Sequence, residues 1–140
     1  MSQWKRTLST EQLQQAGRNT LVEHLGIELE SVGETTLTGT MPVDERTVQP
    51  YGLLHGGASV ALAESLGSLA GHLASSEGEM VVGLEINANH LKSVRAGKVR
   101  GVASPLHLGR RTQVWEIRIS DEGGTLVCIS RITLAVVRGV

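Results

Sequence analysis

The sequence contains no phenylalanine, and its only aromatic residues are Trp4, Tyr51 and Trp115. Proteins that bind single-stranded nucleic acid stack bases on aromatic side chains, so this shortage argues against that class. The 14 acidic and 13 basic residues are interspersed and leave a net charge of −1. This balance lacks the basic stripe that contacts a phosphate backbone. We therefore expect no nucleic acid among the partners of the chain.

Cysteine is nearly absent. Cys128 stands alone, which excludes an internal disulfide and a multi-cysteine zinc site. His24, His72 and His107 lack partners that would complete a metal-ligand set, so we interpret them as structural or surface residues and expect no metal. No apolar run reaches the ~18 residues of a membrane span, and residues 1–6 lack the apolar segment of a secretory signal. We expect a cytoplasmic protein that makes no contact with a membrane.

Charged residues are also scarce, at 19% of the chain against about 25% in typical soluble domains. Two explanations stay open at this point. The surface is an ordinary one rich in glycine, or an oligomer covers part of it. A length of 140 residues suits a single domain that spans residues 1–140 and buries a substantial core.

The periodicity of apolar residues predicts one long helix and six strands. A cap at Ser9 or Thr10 begins a short helix that ends by Gly17, and residues 20–25 add another turn. The long helix is expected over roughly residues 57–75. The strands are expected over residues 27–31, 36–43, 80–91, 98–104, 111–120 and 125–137.

The resulting order is β-β-α-β-β-β-β, which places the chain in the α+β class. One helix cannot cover both faces of a six-stranded sheet. An antiparallel sheet wrapped around the helix would instead form a single core. The outer face of that sheet must then be solvated or paired with another copy of the chain.

The long helix carries one acidic residue, Glu64. A leucine stripe faces the core, formed by Leu62, Leu66, Leu69 and Leu73. Glu64 lies on the opposite side, where it is either an ordinary solvated residue or a functional carboxylate. Its companions there are small and uncharged: Gly57, Val60, Gly67, Ser68 and Gly71. Because each interior helical glycine costs about 1 kcal/mol, we expect another backbone, that of a second subunit, to approach this face.

A glycine-rich run, residues 51–57, leads into the helix. A helix N-terminus presents unpaired N–H groups and favours negative charge, and Gly56 lets an acyl carbonyl approach closely. A phosphate loop is not supported, since no Gly-Lys-Ser/Thr follows, whereas simple helix capping remains open. The donors and a carboxylate two turns onward suit attack on a carbonyl, with an oxyanion hole and a base or nucleophile about a helix pitch apart.

At these residues the sequence resembles the hotdog-fold thioesterases, in the branch of the bacterial 4-hydroxybenzoyl-CoA and phenylacetyl-CoA enzymes. The resemblance runs nearly end to end. Its most specific stretches are QPYGLLHGG at 49–57, AES at 63–65, VGLEINANH at 82–90 and PLHLGR at 105–110. It implies a hotdog fold, in which a six-stranded antiparallel sheet wraps around one long helix. It further implies that two subunits join their sheets edge to edge and that the dimers pair into homotetramers.

The resemblance also implies site residues. Glu64 would activate water or attack the thioester directly, and the Gly56 amide would polarise the thioester oxygen. Gln49 and His55 would line the pocket, with His55 near the departing thiolate. Each has a simpler alternative, since His55 could cap the loop and Gln49 could be an ordinary loop residue.

Two further residues would complete the site around the hydrolytic water. Ser68 lies one turn after Glu64, although it could be a packing residue. His90 could instead be a hydrogen-bonded core histidine. CoA is part of the substrate, so no separate cofactor is expected. Its phosphates would find cations among Lys92, Arg95, Arg110 and Arg111.

Three alternatives to acyl-CoA hydrolysis stay open. The first is release of an aroyl group from an acyl carrier protein. The second is a hydratase or dehydratase, for which His55 and Glu64 could supply the histidine and acid, although their arrangement around the glycines follows the thioesterase pattern. The third is a non-catalytic acyl-CoA-binding protein.

Overall fold

The computed structural model describes residues 3–139. The helices are α1 (Thr10–Ala16), α2 (Leu21–His24) and α3 (Gly56–Leu73). The strands are β1 (Glu28–Val32), β2 (Leu37–Pro42), β3 (Glu79–His90), β4 (Lys98–Leu108), β5 (Thr112–Ser120) and β6 (Leu126–Arg138). The predicted order of strands and long helix is confirmed. None of the helices within residues 3–139 is long and apolar enough to cross a membrane.

The six strands form one antiparallel sheet in the order β1-β2-β4-β5-β6-β3. α3 packs against β2, β3, β4, β5 and β6, so the sheet curves around the helix. This is the expected α+β architecture of a sheet wrapped around one long helix. β1 and β3 are the two edges of the sheet, and β3 is much the longer of the two.

The strand β4 extends beyond its predicted end at residue 104 and reaches Leu108. The predicted end directly precedes Pro105, and proline has no N–H to donate to a sheet. The structure accommodates the proline with an irregularity between Pro105 and His107, after which pairing with β5 resumes.

The two glycines in the interior of α3 face the chain's own sheet. Gly67 and Gly71 are buried. A Cβ atom on Gly67 would lie 2.6 Å from Ile132 Cγ2, and one on Gly71 would lie 2.5 Å from Leu134 Cδ1. The prediction that a second subunit approaches these two positions is therefore wrong. β6 of the same chain needs the space, because it crosses the helix closely.

The leucine stripe of α3 is largely confirmed as a core feature. Leu62, Leu66 and Leu73 are at most 1% exposed. Leu69 is only partly buried, although it packs against the core. It lies at the border of a surface cleft that also contains Glu64.

The strand β3 contains a β-bulge at Leu84, because Gly83 pairs with Leu134 and Glu85 pairs with Thr133, the next residue of β6. Side chains alternate between the two faces of a regular strand, so an extra residue exchanges the faces beyond it. In a regular strand, residues 83 and 90 would lie on opposite faces, because one position is odd and the other even. The bulge nevertheless lets both face α3, where Gly83 approaches Glu64 and His90 approaches Gly56.

Candidate active site

The N-terminus of α3 leaves one backbone donor free. His55 is the N-cap, and its Nδ1 accepts a hydrogen bond from the Gly57 N–H at 2.8 Å. The Ala58 and Ser59 N–H groups both donate to the His55 carbonyl oxygen, at 3.0 and 3.1 Å. Of the first-turn amides, only the Gly56 N–H has no acceptor among residues 3–139. It lies at the positive end of the helix dipole, where it can stabilise an oxyanion.

His55 therefore acts as a helix cap, as the simpler interpretation expected. Because Nδ1 accepts from an amide, the neutral ring carries its proton on Nε2. The side chain is exposed, and Nε2 remains able to donate to another group. Capping and a role near the departing thiolate are thus compatible, and the catalytic role stays a prediction.

The Gly56 amide opens onto a cleft of about 570 Å³, which we call the amide cleft. It is lined by Gln49, Leu53, Leu54, Gly56, Ser59, His90, Leu91, Lys92, Ser93 and Val127. Four of the predicted site residues therefore meet in one cleft: Gln49, Gly56, His90 and Lys92. They come from a loop, the start of a helix, the last residue of β3 and the segment after it.

His90 lies directly against Gly56, the residue that carries the free amide. A Cβ atom on Gly56 would be 2.9 Å from His90 Nε2 and 3.2 Å from Cε1. His90 is exposed in the single chain, which argues against the alternative of a core histidine. The absence of a side chain at Gly56 is what allows the imidazole to lie this close to the start of α3.

Gln49 is held by its own loop. Its side-chain Oε1 accepts from the Tyr51 N–H, and its backbone bonds to Leu53 and Gly52. The turn requires glycine at position 52, where φ is +79°. With Oε1 engaged, the side-chain NH₂ of Gln49 is the group available to a ligand in the amide cleft.

Glu64 lies in a second cleft, of about 360 Å³, which we call the carboxylate cleft. Ser65, Ser68 and Leu69 of α3 line it together with residues of α1, α2 and the turn between them. Glu64 is partly buried, and no described residue forms an ion pair or hydrogen bond with its carboxylate. The predicted proximity of Ser68 to Glu64 is confirmed. The carboxylate is available to a ligand or to water.

Within one chain the two clefts are separate. Gly56 and Glu64 are eight residues apart in α3, which corresponds to about 12 Å along the helix axis. The prediction of about one helix pitch was therefore too short. Reacting groups must approach within about 3–3.5 Å, so one thioester cannot contact the Gly56 amide and the Glu64 carboxylate of the same chain.

The four predicted cations do not form one cluster. Lys92 lines the amide cleft and pairs with Asp121, and that hydrogen bond lowers the pKa of the Asp121 carboxyl. Arg95 donates to the Tyr51 carbonyl oxygen at 3.4 Å. Arg110 lies near the opposite end of α3, in a cleft beside Ser75.

The fourth cation, Arg111, is exposed in the β4–β5 turn next to Arg110. Lys92 thus lines the amide cleft of its own chain, and Arg95 contacts the loop that carries Gln49. Arg110 and Arg111 do not line this cleft. Among residues 3–139, no three His, Cys, Asp or Glu side chains could hold a metal ion together. The prediction of a reaction without a metal stays a prediction.

A helix N-terminus with one free amide, a carboxylate about two turns further along the same helix and a sheet wrapped around that helix are the features of a hotdog thioesterase. Comparison with known proteins agrees. The model of the thioesterase superfamily matches residues 51–128. The chain belongs to this superfamily, and it is a thioester hydrolase of the acyl-CoA thioesterase kind.

Individual relatives are similar over nearly the whole chain. The 1,4-dihydroxy-2-naphthoyl-CoA hydrolase of Escherichia coli K12 is 58% identical over 133 residues, which cover 95% of this chain and 98% of the relative. The proofreading thioesterase EntH of Cronobacter turicensis is 57% identical over 133 residues, which cover 95% and 97%.

Solved structures give the same fold. A thioesterase from Haemophilus influenzae superposes with a TM-score of 0.95 at 56% identity, covering 96% of this chain and 94% of that one. A mutant thioesterase from Pseudomonas aeruginosa gives a TM-score of 0.97 at 50% identity, covering 99% and 100%. These similarities favour hydrolysis over the hydratase and the non-catalytic alternatives.

Proposed function

We propose that this chain hydrolyses an aroyl-CoA thioester to the free acid and CoA, with 1,4-dihydroxy-2-naphthoyl-CoA of menaquinone synthesis as its substrate. The free Gly56 N–H beside His90 carries the chemical part of this proposal. The substrate part is supported by the 58% identity to the Escherichia coli enzyme of that name. Which acyl group the site accepts depends on the side chains around the two clefts.

In the proposed reaction the thioester oxygen accepts a hydrogen bond from the Gly56 N–H. Negative charge grows on this oxygen as the carbonyl carbon becomes tetrahedral, and the helix dipole stabilises it. The Glu64 carboxylate either takes a proton from an attacking water or attacks the carbonyl carbon directly. Direct attack leaves a mixed anhydride on Glu64 after the thiolate departs, and water then hydrolyses it to the free acid and the carboxylate. Collapse of the tetrahedral species releases the CoA thiolate, to which the Nε2–H of His55 can donate. Ser68 and His90 would position the hydrolytic water.

This chemistry needs a second subunit. One chain holds its Gly56 amide and Glu64 carboxylate about 12 Å apart along α3, so we propose that each site combines Gly56 of one subunit with Glu64 of the other. The edge strand β3 supports such a dimer, because Met80, Val82 and Leu84 are 39%, 41% and 61% exposed. A long apolar edge with unpaired backbone groups favours pairing with another strand. We further propose that the dimers assemble into tetramers.

Mixing two inactive variants tests the shared site. If Gly56→Ala and Glu64→Gln subunits form a mixed dimer, one of its sites carries both defects and the other carries neither. Random reassociation of equal amounts should then restore about a quarter of the wild-type activity, as expected for a symmetric dimer. Absence of restored activity, despite mixed dimers detected by native mass spectrometry, would contradict a site shared between subunits.

The CoA phosphates are the proposed ligands of Lys92 and Arg95 at the amide cleft. Arg110 and Arg111 could contribute only from the opposite end of α3, so we assign them to a different part of CoA or to the neighbouring subunit's site. Lys92→Ala should raise KM for acyl-CoA and leave kcat nearly unchanged, because the phosphates lie away from the reacting carbonyl. An unchanged KM would remove Lys92 from the proposal.

A second candidate is proofreading of a carrier protein, supported by the 57% identity to EntH. Rates of thiol release decide between the two. We expect the largest kcat/KM on 1,4-dihydroxy-2-naphthoyl-CoA, compared with 4-hydroxybenzoyl-, phenylacetyl- and fatty acyl-CoA. Faster release from an aroyl-loaded carrier protein would favour proofreading. Equal rates on all CoA esters would contradict a pathway-specific role.

A further inference from the structure

The carboxylate of Glu64 lies against a gap in the sheet. The gap is at Gly83 of β3, where a Cβ atom would lie 2.7 Å from Glu64 Oε2. The next atoms are farther away, with Glu64 Cδ at 3.9 Å and Ile132 Cδ1 at 4.0 Å. The carboxylate oxygen is thus the one close neighbour of the missing side chain.

The β-bulge at Leu84 makes this gap and the His90 contact possible on the same strand. Up to the bulge, β3 directs Val81 and Gly83 toward α3, and beyond it Ile86 and His90 take that side. A regular strand would place residues 83 and 90 on opposite faces. The single bulge therefore lets β3 contact α3 at two points, with Gly83 beside the Glu64 carboxylate and His90 beside Gly56.

We propose that Gly83 is a positioning residue for catalysis. Because Gly83 has no side chain, it leaves the space that the Glu64 carboxylate needs. The bulge at Leu84 turns this space toward the helix. This inference rests on the proposed role of Glu64 and adds a residue that does not itself touch the substrate. Glycine at position 83 keeps the carboxylate close to the sheet and aligned with its target.

A methyl group at position 83 would displace the carboxylate. Ordinary van der Waals contact begins at 3.4 Å, against the 2.7 Å that the wild-type geometry would leave. Glu64 Oε2 must then move by roughly 0.7 Å, which its flexible side chain can do without disturbing the backbone. Displacements of about 1 Å can reduce a rate about 100-fold. We therefore expect Gly83→Ala to lower kcat by about 10- to 100-fold.

The structural effect of the same substitution has the opposite sign. Glycine weakens a strand because it has high backbone entropy and no side chain to pack. An alanine should leave the Tm equal or slightly higher. A lower kcat together with an unchanged or higher Tm therefore separates positioning of Glu64 from a general role in folding.

The experiment measures kcat, KM, Tm and oligomeric state of the intact protein with an aroyl-CoA substrate. Gly33→Ala is the matched control, since its Cβ would lie 2.9 Å from Thr36 Oγ1 in the turn between β1 and β2, which lines neither cleft. We expect Gly83→Ala to lose kcat at least 10-fold, with KM within about twofold and the same assembly. Gly33→Ala should keep the kcat and KM of the wild type.

Three outcomes are informative. A kcat within twofold of wild type in Gly83→Ala would overturn the proposal, because the carboxylate would not need the space left by glycine at position 83. Loss of folding or assembly in Gly83→Ala alone would also overturn it, in favour of a structural role. Full activity of Glu64→Gln in the same assay would contradict the catalytic role of Glu64 itself. A loss of activity in Glu64→Gln together with normal activity in Gly83→Ala would contradict only the positioning role of Gly83.

Discussion

The imidazole of His90 occupies the space that a side chain on Gly56 would need, with Nε2 2.9 Å from that Cβ position. Gly56 and His90 are therefore close neighbours, and the residue that carries the free amide must lack a side chain. The local sequence suggests only a helix-capping role for Gly56. The structure shows that glycine is needed there because of His90, 34 residues further along the chain.

Gly56→Ala tests this relationship. The added methyl group must push the His90 ring aside and also blocks the approach of a carbonyl to the Gly56 N–H. Loss of one oxyanion donor typically costs 100- to 1000-fold in kcat, so we expect a loss of about 100-fold in kcat/KM with α3 intact by circular dichroism. Near-normal kcat/KM would show that the amide does not contact the thioester.

Two substitutions separate the helix-capping role of His55 from its proposed catalytic role. His55→Ala removes the acceptor of the Gly57 N–H and should lower the free energy of unfolding by about 1 kcal/mol. His55→Asn supplies another good N-cap and should restore most of that stability.

Activity then decides between the two roles of His55. If the imidazole assists the departing thiolate, kcat stays low in both variants although His55→Asn is stable. Full activity of His55→Asn would leave capping as the only function of the residue.

Gly71→Ala tests the close packing of α3 on the sheet. Helix propensity alone favours the alanine by about 1 kcal/mol. A methyl group there would, however, lie 2.5 Å from Leu134 Cδ1 and 2.8 Å from Gln113 Oε1. Overpacking typically costs about 1–3 kcal/mol, so we expect a net loss of stability in chemical denaturation. An increase in stability would mean that the interface relaxes easily.

His72 should make stability depend on pH. Burial, and secondly the charge of Arg6, lower the pKa of the His72 imidazole, whose Nε2 lies 3.2 Å from Arg6 Nη1. Arg6 also donates to the carbonyl oxygens of Ser75, Ser76 and Glu79 near the C-terminus of α3. Protonation of His72 would therefore set two positive charges against each other at this end of the helix.

The direction of the effect follows from the lowered pKa. The unfolded chain binds the proton more readily than the folded one, so stability is present above the ordinary histidine pKa and is lost as the pH falls through the lowered value. We expect Tm to decline between pH 7 and pH 5. His72→Gln should weaken this decline, and an identical decline in both proteins would contradict the assignment.

Prediction from sequence succeeded where a local pattern determines the structure. The leucine stripe located α3 and its core face, and the period-two segments located six strands. The glycine-rich run identified the start of α3 and the Gly56 amide. Glu64 stood out because its face carried no other charge.

Prediction failed where contacts between distant segments decide. Gly67 and Gly71 were assigned to a subunit interface, whereas β6 of the same chain fills that space. The bulge at Leu84 depends on its pairing with β6, which no local pattern at positions 82–85 reveals. Gly83 was consequently missed as a neighbour of Glu64. The only available signal was a glycine inside a predicted strand, which often marks a bulge or a close approach.

The most direct test of the account is the rate of thiol release from an aroyl-CoA by Glu64→Gln. The substitution preserves size and removes the charge, and the carboxylate makes no ion pair among the described residues that folding would need. We expect the variant to fold and assemble as the wild type does and to lose at least about 1000-fold in kcat, in keeping with removal of a nucleophile or base. Full activity in a correctly assembled Glu64→Gln protein would contradict the central claim that Glu64 is the catalytic carboxylate.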